Sequence, residues 1–343
     1  MPVHELLAGR YKYHQEQDQD TLPIIDPVGG LTDLEQQRVR VVGKKSFSDD
    51  PLRMLRVFRF AAVLDFTVEP ETLEQIQQLH ETLGRVAKER IAYELDLIMV
   101  SPRAHQIFSA MRNCSLLWEI LPELQAGQGM EQPASHHLDV FGHCLEALRQ
   151  MELVLADLEH YFSETFPVME KYLETGQRKV QMKWAALLHD VGKIREYSSG
   201  VNLKITNRGR LLGHITMGYG WVLEKIKEVK GFPLDLSDRL LHIILSHHGH
   251  LEYGSPKRPK ILEAFIVYHA DHLDGDIGGF NIILENTSNE NDWSDYVRNF
   301  ERPVYIRQLD LAEEADRGNA GKGNPKTLDK KETEDSQDQD GLF

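Results

Sequence analysis

The spacing of apolar residues most constrains the fold, because it is helical along most of the chain. Between Pro51 and Phe66 the apolar residues fall on one stripe of a helix, namely Leu52, Leu55, Phe58, Ala62 and Phe66. The same spacing predicts further helices near 71–83, 87–100, 102–111, 116–121, 138–157, 160–175, 179–190, 212–229, 236–248 and 260–273. No parallel-strand pattern and no GxGxxG or GxxxxGK[ST] phosphate loop is present in the sequence. The sequence therefore predicts an all-α protein.

Composition divides this helical chain into two domains with flanking segments. Gly127, Gly129 and Pro133 mark a linker near 125–135. We expect an N-terminal remnant or arm (1–24), a helical neck domain (25–125), a helical bundle (135–280), a C-terminal extension (281–315) and a disordered tail (316–343). The tail has almost no apolar residues, which is typical of disorder. The Gly-, Asn- and Asp-rich stretch 274–299 predicts irregular structure, followed by a final helix at 304–315.

Charge and cysteine content limit the class of protein. The 343 residues carry a formal net charge of −15, which argues against adhesion to nucleic acid over the whole surface but permits a local basic patch. The two cysteines cannot form a disulfide scaffold and suit a reducing cytoplasm. No stretch approaches the roughly 18 apolar residues of a membrane span. We expect a cytoplasmic protein without a membrane partner.

Histidines concentrate in the second domain, together with aspartates at helix ends or on inner helix faces. Imidazole nitrogen and carboxylate oxygen are ligands that borderline divalent transition metals accept. A carboxylate flanked by histidines is able to bridge two ions about 3.5–4 Å apart. The candidate ligands are His143, His189, Asp190, His214, His247, His248 and Asp271.

In this order, the seven residues resemble the extended, two-metal form of the HD-domain metal-dependent phosphohydrolases. The stretch LSHHGHLEYGSPKRPKILEAFIVYHADHLD is similar to HD-type 3′-to-5′ exoribonucleases. The resemblance implies two divalent ions (Mn, Fe, Ni, Co or Mg) with Asp190 bridging them. One ion would be held by His143, His189, Asp190 and Asp271, and the other by Asp190, His214, His247 and His248. Asp190 and Lys193 would be catalytic, with Lys193 facing the substrate phosphate.

A basic helix is the second candidate site. Arg53, Arg56 and Arg59 are spaced i, i+3, i+6 and therefore share one flank of the helix predicted after Pro51. Asp50 lies one turn before Arg53. The Asp50 carboxylate, as acceptor, and the Arg53 guanidinium, as forked donor, would then face the edge of a nucleotide base together. The alternative is a solvated flank with ion pairs within the helix.

The sequence around this helix resembles the neck of the bacterial tRNA nucleotidyltransferase and poly(A) polymerase family. The matching pieces are DPVGGLTDL, FSDDPLRMLRVFRFAAVLDF, VAKERIAYEL and ILPEL. The resemblance implies that Asp50 and Arg53 read a nucleotide base, with Arg56 and Arg59 nearby. Glu89, Arg90 and Glu94 would brace the helices. Asp49 stands where that family has a leading Glu. Expected partners are RNA, in particular tRNA-like RNA, or nucleotides.

The polymerising head of that family needs a Gly-Ser pair followed about ten residues later by Asp-x-Asp for two Mg²⁺ ions. Neither precedes DPVGG, so nucleotidyl transfer is not expected from this chain. The leading hypothesis is an HD-type phosphohydrolase acting on RNA or nucleotide phosphates, with an RNA-binding neck. One alternative is a head-truncated family member in RNA 3′-end processing. The other is a non-catalytic RNA-binding module with a structural metal. We also expect the metal-free protein to tolerate Asp190→Ala, because the substitution removes an unpaired charge.

Overall fold

A computed structural model describes residues 25–132, 138–163, 165–174, 177–198, 204–286, 292–297 and 300–306. The predicted arm at 1–24 and the predicted disordered tail at 316–343 lie outside these residues. The contacts divide the chain into a unit at 1–282 and a second unit at 283–343. Both domains expected from the sequence lie in the first unit.

The first domain is built from helices, as predicted. Its helices are α1 (Gly30–Glu35), α2 (Ser46–Asp49), α3 (Leu52–Leu64), α4 (Pro70–Leu79), α5 (Lys88–Val100), α6 (Ala104–Asn113) and α7 (Pro122–Gln125), with 3₁₀ turns at His80–Arg85 and Leu116–Glu119. The strands β1 (Arg38–Val39) and β2 (Thr67–Val68) form one short parallel pair. Helix α3 buries Leu55 and Phe58 on its predicted apolar stripe and ends at Asp65, in a left-handed conformation.

The second domain is also helical. Its helices are α8 (Val140–Ala156), α9 (Leu158–Phe162), α10 (Phe166–Glu174), α11 (Arg178–Leu188), α12 (Lys193–Glu196), α13 (Asn207–Glu228), α14 (Leu234–Ser246) and α15 (Leu262–Asn286), with a 3₁₀ turn at Leu251–Tyr253. The strands β3 (Tyr197–Ser198) and β4 (Lys204–Ile205) pair antiparallel. The all-α fold class predicted from apolar spacing is confirmed.

Two predictions near the C-terminus were wrong. Residues 274–286, predicted to be irregular, continue α15 without a break. The reason is that Leu273, Ile277 and Phe280 keep the helical spacing despite the intervening glycines and aspartates. The final helix predicted at 304–315 does not begin at Val304, because Tyr305 forms an antiparallel bridge with Trp293. The rest of that predicted helix lies outside the described residues.

The two domains share one apolar core. Phe58 and Phe108 of the first domain belong to the same buried cluster as Phe141, Leu148 and Leu187 of the second. Trp184 on α11 also donates its indole N–H to Asp96 on α5, at 3.0 Å. The parts of the chain on either side of the predicted linker therefore pack directly against each other within one unit.

A buried charge cluster ties the domains together. The Glu152 carboxylate on α8 accepts hydrogen bonds from the Ala104 backbone N–H at 2.7 Å and from the Lys183 ammonium at 2.9 Å. Lys183 also donates to the Ser101 carbonyl at 2.6 Å. Glu152 thus caps the N-terminus of α6, where backbone N–H groups lack partners within the helix. One second-domain carboxylate therefore anchors the start of a first-domain helix.

We predict that Glu152→Ala lowers the free energy of unfolding by about 3–5 kcal/mol, because it leaves the Lys183 ammonium buried without its anion. The matched control is Glu146→Ala on the same helix. Glu146 pairs with Arg149 at a partly exposed position, so its loss is expected to cost about 0–1 kcal/mol. Urea denaturation of both variants measures the difference. Equal destabilisation would contradict the assigned role of Glu152.

Candidate metal centre

The structure brings all seven predicted ligands together. His143 lies one turn into α8, and His189 and Asp190 directly follow α11. His214 lies in α13 beside a kink at Gly213, His247 and His248 directly follow α14, and Asp271 lies in α15. Their ligand atoms form two groups of four that share Asp190. The helical bundle therefore collects residues that are up to 128 positions apart in the sequence.

The first group consists of His143, His189, Asp190 and Asp271. The Nε2 atom of His143 lies 3.2 Å from Oδ2 of Asp190 and 3.0 Å from Oδ1 of Asp271. The Nε2 atom of His189 lies 3.4 and 3.2 Å from the same two oxygens. All but Asp271 are fully buried.

The second group consists of Asp190, His214, His247 and His248. The Nε2 atoms of His214 and His247 each lie 3.4 Å from Oδ1 of Asp190. The Nε2 atom of His248 lies 3.2 Å from Nε2 of His214. Asp190 therefore turns one carboxylate oxygen toward each group.

Hydrogen bonds on the far side of the rings fix how the imidazoles point. His189 and His247 each follow the last residue of a helix, and each Nδ1 lies 2.7 Å from the carbonyl oxygen three residues earlier, that of Ala186 or Ile244. Such carbonyls lack partners at a helix C-terminus, so Nδ1–H donates to them. Nε2 is then left as a lone-pair donor aimed into the site. The Nδ1 atom of His248 is held in the same way by the Tyr253 carbonyl at 2.9 Å.

This donor set fits divalent cations. Ligands about 2.0–2.2 Å from one ion lie roughly 3–3.6 Å from each other, which matches the contacts within both groups. Nε2 atoms that both carry lone pairs repel each other at 3.2–3.3 Å, as in His143–His189 and His214–His248, unless a cation or proton lies between them. The buried Oδ1 of Asp190 and Nε2 of His247 also make no hydrogen bond of good geometry with the described residues.

Lys193 contacts the shared aspartate rather than facing open space. Its ammonium lies 2.6 Å from Oδ2 of Asp190 and donates to the side-chain oxygen of Gln132 at 2.7 Å. The expectation that Asp190 is unpaired without metal was therefore wrong. The turn from Asp190 to Lys193 lies just before α12. It places the Lys193 ammonium beside the Asp190 carboxylate.

Without a bound metal, His189 of the first group and His248 of the second have pKa values shifted in opposite directions. Burial alone would lower the pKa of His189, but Asp190 and Asp271 outweigh it and raise that pKa to about 9. Burial, reinforced by His247, lowers the pKa of His248 to about 4. At neutral pH the metal-free His189 therefore holds a proton that an ion must displace, whereas His248 is already neutral and able to coordinate.

Sequence reasoning missed three residues that support the site. Glu196 holds Nδ1 of His214 at 3.0 Å, and its position three residues after Lys193 was an available signal. Gln132 carried no such signal, because it comes from the predicted linker. Gly192 admits the backbone of α13, since a Cβ there would lie 2.0 Å from the His214 carbonyl oxygen. Only glycine allows this approach.

The four predicted nucleotide-binding residues divide into two pairs. Arg56 and Arg59 form ion pairs at 3.1 and 2.7 Å with Glu94, a buried residue of α5. Arg53 is exposed and donates only to the Ser46 carbonyl among the described residues, at 3.2 Å. Asp50 lies 3.5 Å from Arg90. The alternative of ion pairs within one helix is not found for Arg56 and Arg59, which pair between α3 and α5, and Arg53 is the most available of the three arginines.

No helix among the described residues is long and apolar enough to cross a membrane.

Two family models match the chain. The one described as the probable RNA and SrmB-binding site of polymerase A matches residues 65–127. The HD domain model matches residues 140–276, a range that contains all seven candidate ligands.

Curated relatives are tRNA-processing enzymes. The A-adding tRNA nucleotidyltransferase of Deinococcus radiodurans is 35% identical over 200 residues, covering 57% of this chain and 41% of that protein. The multifunctional CCA protein of Pseudomonas aeruginosa (strain LESB58) is 30% identical over 256 residues, covering 71% and 55%. The chain thus spans about half the length of the curated relatives it matches.

Among solved structures, a CCA-adding enzyme with ATP is similar at 16% identity and a TM-score of 0.44, over 86% of this chain and 60% of that one. The family matches and the curated relatives agree with the resemblances read from the sequence. Over its neck and HD portion, the chain matches the tRNA nucleotidyltransferase and poly(A) polymerase family.

Proposed function

We propose that this protein is an HD-type metal-dependent phosphohydrolase that acts on RNA or nucleotide phosphates in the cytoplasm and carries an RNA-binding neck. The observation that carries the proposal is the position of Asp190. Its two carboxylate oxygens face two separate groups of buried ligand atoms, each about 3.2–3.4 Å away. A structural metal site usually stops at four protein ligands, whereas seven residues converge here.

Two divalent ions, held by the residues of the two groups, would clamp a phosphate and lower the pKa of a shared water. The chain's own residues prepare that site. The Ala186, Ile244 and Tyr253 carbonyls and the Glu196 carboxylate hold four imidazoles with Nε2 directed inward. Lys193, which donates to Gln132 and lies 2.6 Å from Oδ2 of Asp190, would hold that carboxylate in place and add positive charge to the site.

The candidate ligands differ in their exposure to solvent. His143, His189, Asp190 and His247 are buried, whereas His214, His248 and Asp271 are partly exposed. A substrate phosphate would therefore reach the site past the three partly exposed ligands. The buried side excludes water behind the ligands, which strengthens electrostatic interactions within the site.

We predict that Asp190→Asn loses at least one of two bound ions and lowers hydrolysis at least 1,000-fold, because the bridging charge is gone. In contrast, His248→Ala should lose one ion at most, since its ring belongs to one group. Metal content and turnover are measured on Mn²⁺-loaded protein with adenosine 3′-monophosphate, a dinucleoside monophosphate and a short RNA. The control is His160→Ala, an exposed histidine that lies outside both groups.

A double variant separates the effect of the Asp190 substitution on stability from its effect on activity. Asp190→Asn alone leaves the Lys193 ammonium buried without its anion, which costs the metal-free protein about 3–5 kcal/mol. Asp190→Asn with Lys193→Met removes both charges and should regain most of that stability while staying inactive. If a folded double variant binds two ions and turns over normally, Asp190 is not the bridging ligand.

The neck is proposed to bind RNA through the exposed end of α3. Its support is the exposed Arg53 guanidinium and the family match over residues 65–127. The Arg56 and Arg59 guanidiniums contribute to the same flank, although Glu94 offsets part of their charge.

We predict that Arg53→Ala weakens binding of a tRNA-like hairpin and lowers the slope of log affinity against log salt by about 1, with stability within 0.5 kcal/mol of wild type. The matched comparison is Arg59→Ala. It deprives the buried Glu94 of a partner and should cost about 1–3 kcal/mol in stability. Filter binding at several salt concentrations and urea denaturation separate the two effects. Unchanged affinity and salt slope in Arg53→Ala would contradict the assignment.

A further inference from the structure

Flat rings gather beside the metal centre, and neither the ligand set nor the phosphate chemistry uses them. The ring of Tyr253 lies 6.3 Å from the ring of His272 at an interplanar angle of 25°. The ring of Tyr268 lies 5.4 Å from the same His272 ring at an interplanar angle of 21°. His250 packs edge-on against both tyrosines. We call Tyr253, His272 and Tyr268 the ring stack.

The ring stack is attached to the metal ligands themselves. The carbonyl of Tyr253 holds Nδ1 of His248 at 2.9 Å, and His272 directly follows Asp271 on α15. Gly249 has φ +73°, and a Cβ there would lie 2.2 Å from the Tyr268 ring. The missing side chain therefore allows the turn after His248 to close against that ring. The backbone of this turn therefore helps to fix the position of the stack relative to the ligands.

The ring stack is partly open to solvent beside the site. Tyr253 is 59% exposed and His272 is exposed, next to the partly exposed ligands His248 and Asp271. Burying aromatic area is favourable, so a tyrosine ring that is more than half exposed is able to accept a further flat ring. His272 lies 3.5 Å from the carboxylate of Asp276, which helps to hold its ring near both tyrosines.

We propose that the ring stack binds the base of a nucleotide whose phosphate lies at the metal centre. The inference rests on the proposed function, which places a phosphate there. Every nucleobase presents a π face, and stacking on protein rings tolerates sequence. Flat rings suit the base, which leaves the phosphate to the ions. The site would thus prefer nucleotide phosphates over sugar phosphates without selecting one base.

The test compares two probes that differ by the base: adenosine 5′-monophosphate and ribose 5-phosphate. Binding to the full-length, Mn²⁺-loaded protein is measured by isothermal titration calorimetry with the phosphonate analogues of both probes, which are not hydrolysed. Wild type should bind the nucleotide more tightly. Tyr253→Leu should weaken nucleotide binding about tenfold and leave ribose 5-phosphate unchanged, whereas Tyr253→Phe keeps the wild-type affinity. Tyr296→Leu, a similarly exposed tyrosine outside the HD match, is the control.

The outcomes separate this inference from the proposed function. Equal affinity of wild type for the two probes overturns the inference, as does an equal loss of both in Tyr253→Leu. Metal content of each variant shows that the ligand set is intact. If wild type hydrolyses no phosphate, the phosphohydrolase proposal fails. Base-dependent binding that is lost in Tyr253→Leu and kept in Tyr253→Phe still supports the ring stack in that case.

Discussion

A fully buried carboxylate, that of Asp190, is the constraint around which the second domain is arranged. Burying an anion is costly unless cations or hydrogen-bond donors surround it. In the metal-free protein Lys193 and the neighbouring imidazoles supply that compensation, which holds the pKa of Asp190 well below its usual range against the opposing effect of burial. The ends of α11 and α14, the kink in α13 and the inner face of α15 all meet at this one side chain. The same arrangement that compensates the charge also collects a set of metal ligands.

Two helices of the second domain, α8 and α11, connect the metal centre to the neck. Helix α8 carries His143 to the metal centre near its N-terminus, and one turn from its C-terminus Glu152 caps α6 of the neck. Helix α11 carries Lys183 to the Glu152 cluster, and His189 directly follows its last residue. Two of the helices that position candidate metal ligands therefore also anchor the neck. This shared use explains why the apolar core runs without interruption from Phe58 to Leu187.

The sequence predicted the parts of the fold that local periodicity determines. Helix α3 was predicted at 51–66 and is found at Leu52–Leu64, because its apolar stripe and its flanking residues agree. The seven candidate ligands were predicted from residue type and order, and the structure brings them together. Helix α15 beyond Asp274 was missed, because composition suggested a loop where spacing still suggested a helix.

The remaining features depend on contacts between distant elements, which no local pattern reveals. The pairing of Arg59 with Glu94 joins α3 to α5, and the pairing of Lys193 with Gln132 joins the metal centre to the predicted linker. The domain-spanning cluster at Glu152 has no sequence signature, since a lone glutamate on a helix is typically solvated. The ring stack was likewise hidden, because Tyr253 and His272 meet only when the turn after His248 folds against α15.

The most direct measurement of the central claim is the anomalous scattering of crystals grown with Mn²⁺. The account predicts two peaks, one within each four-residue group, about 3.5–4 Å apart with the Asp190 carboxylate between them. Only one peak in total, or two peaks that do not share Asp190, would contradict the two-ion site.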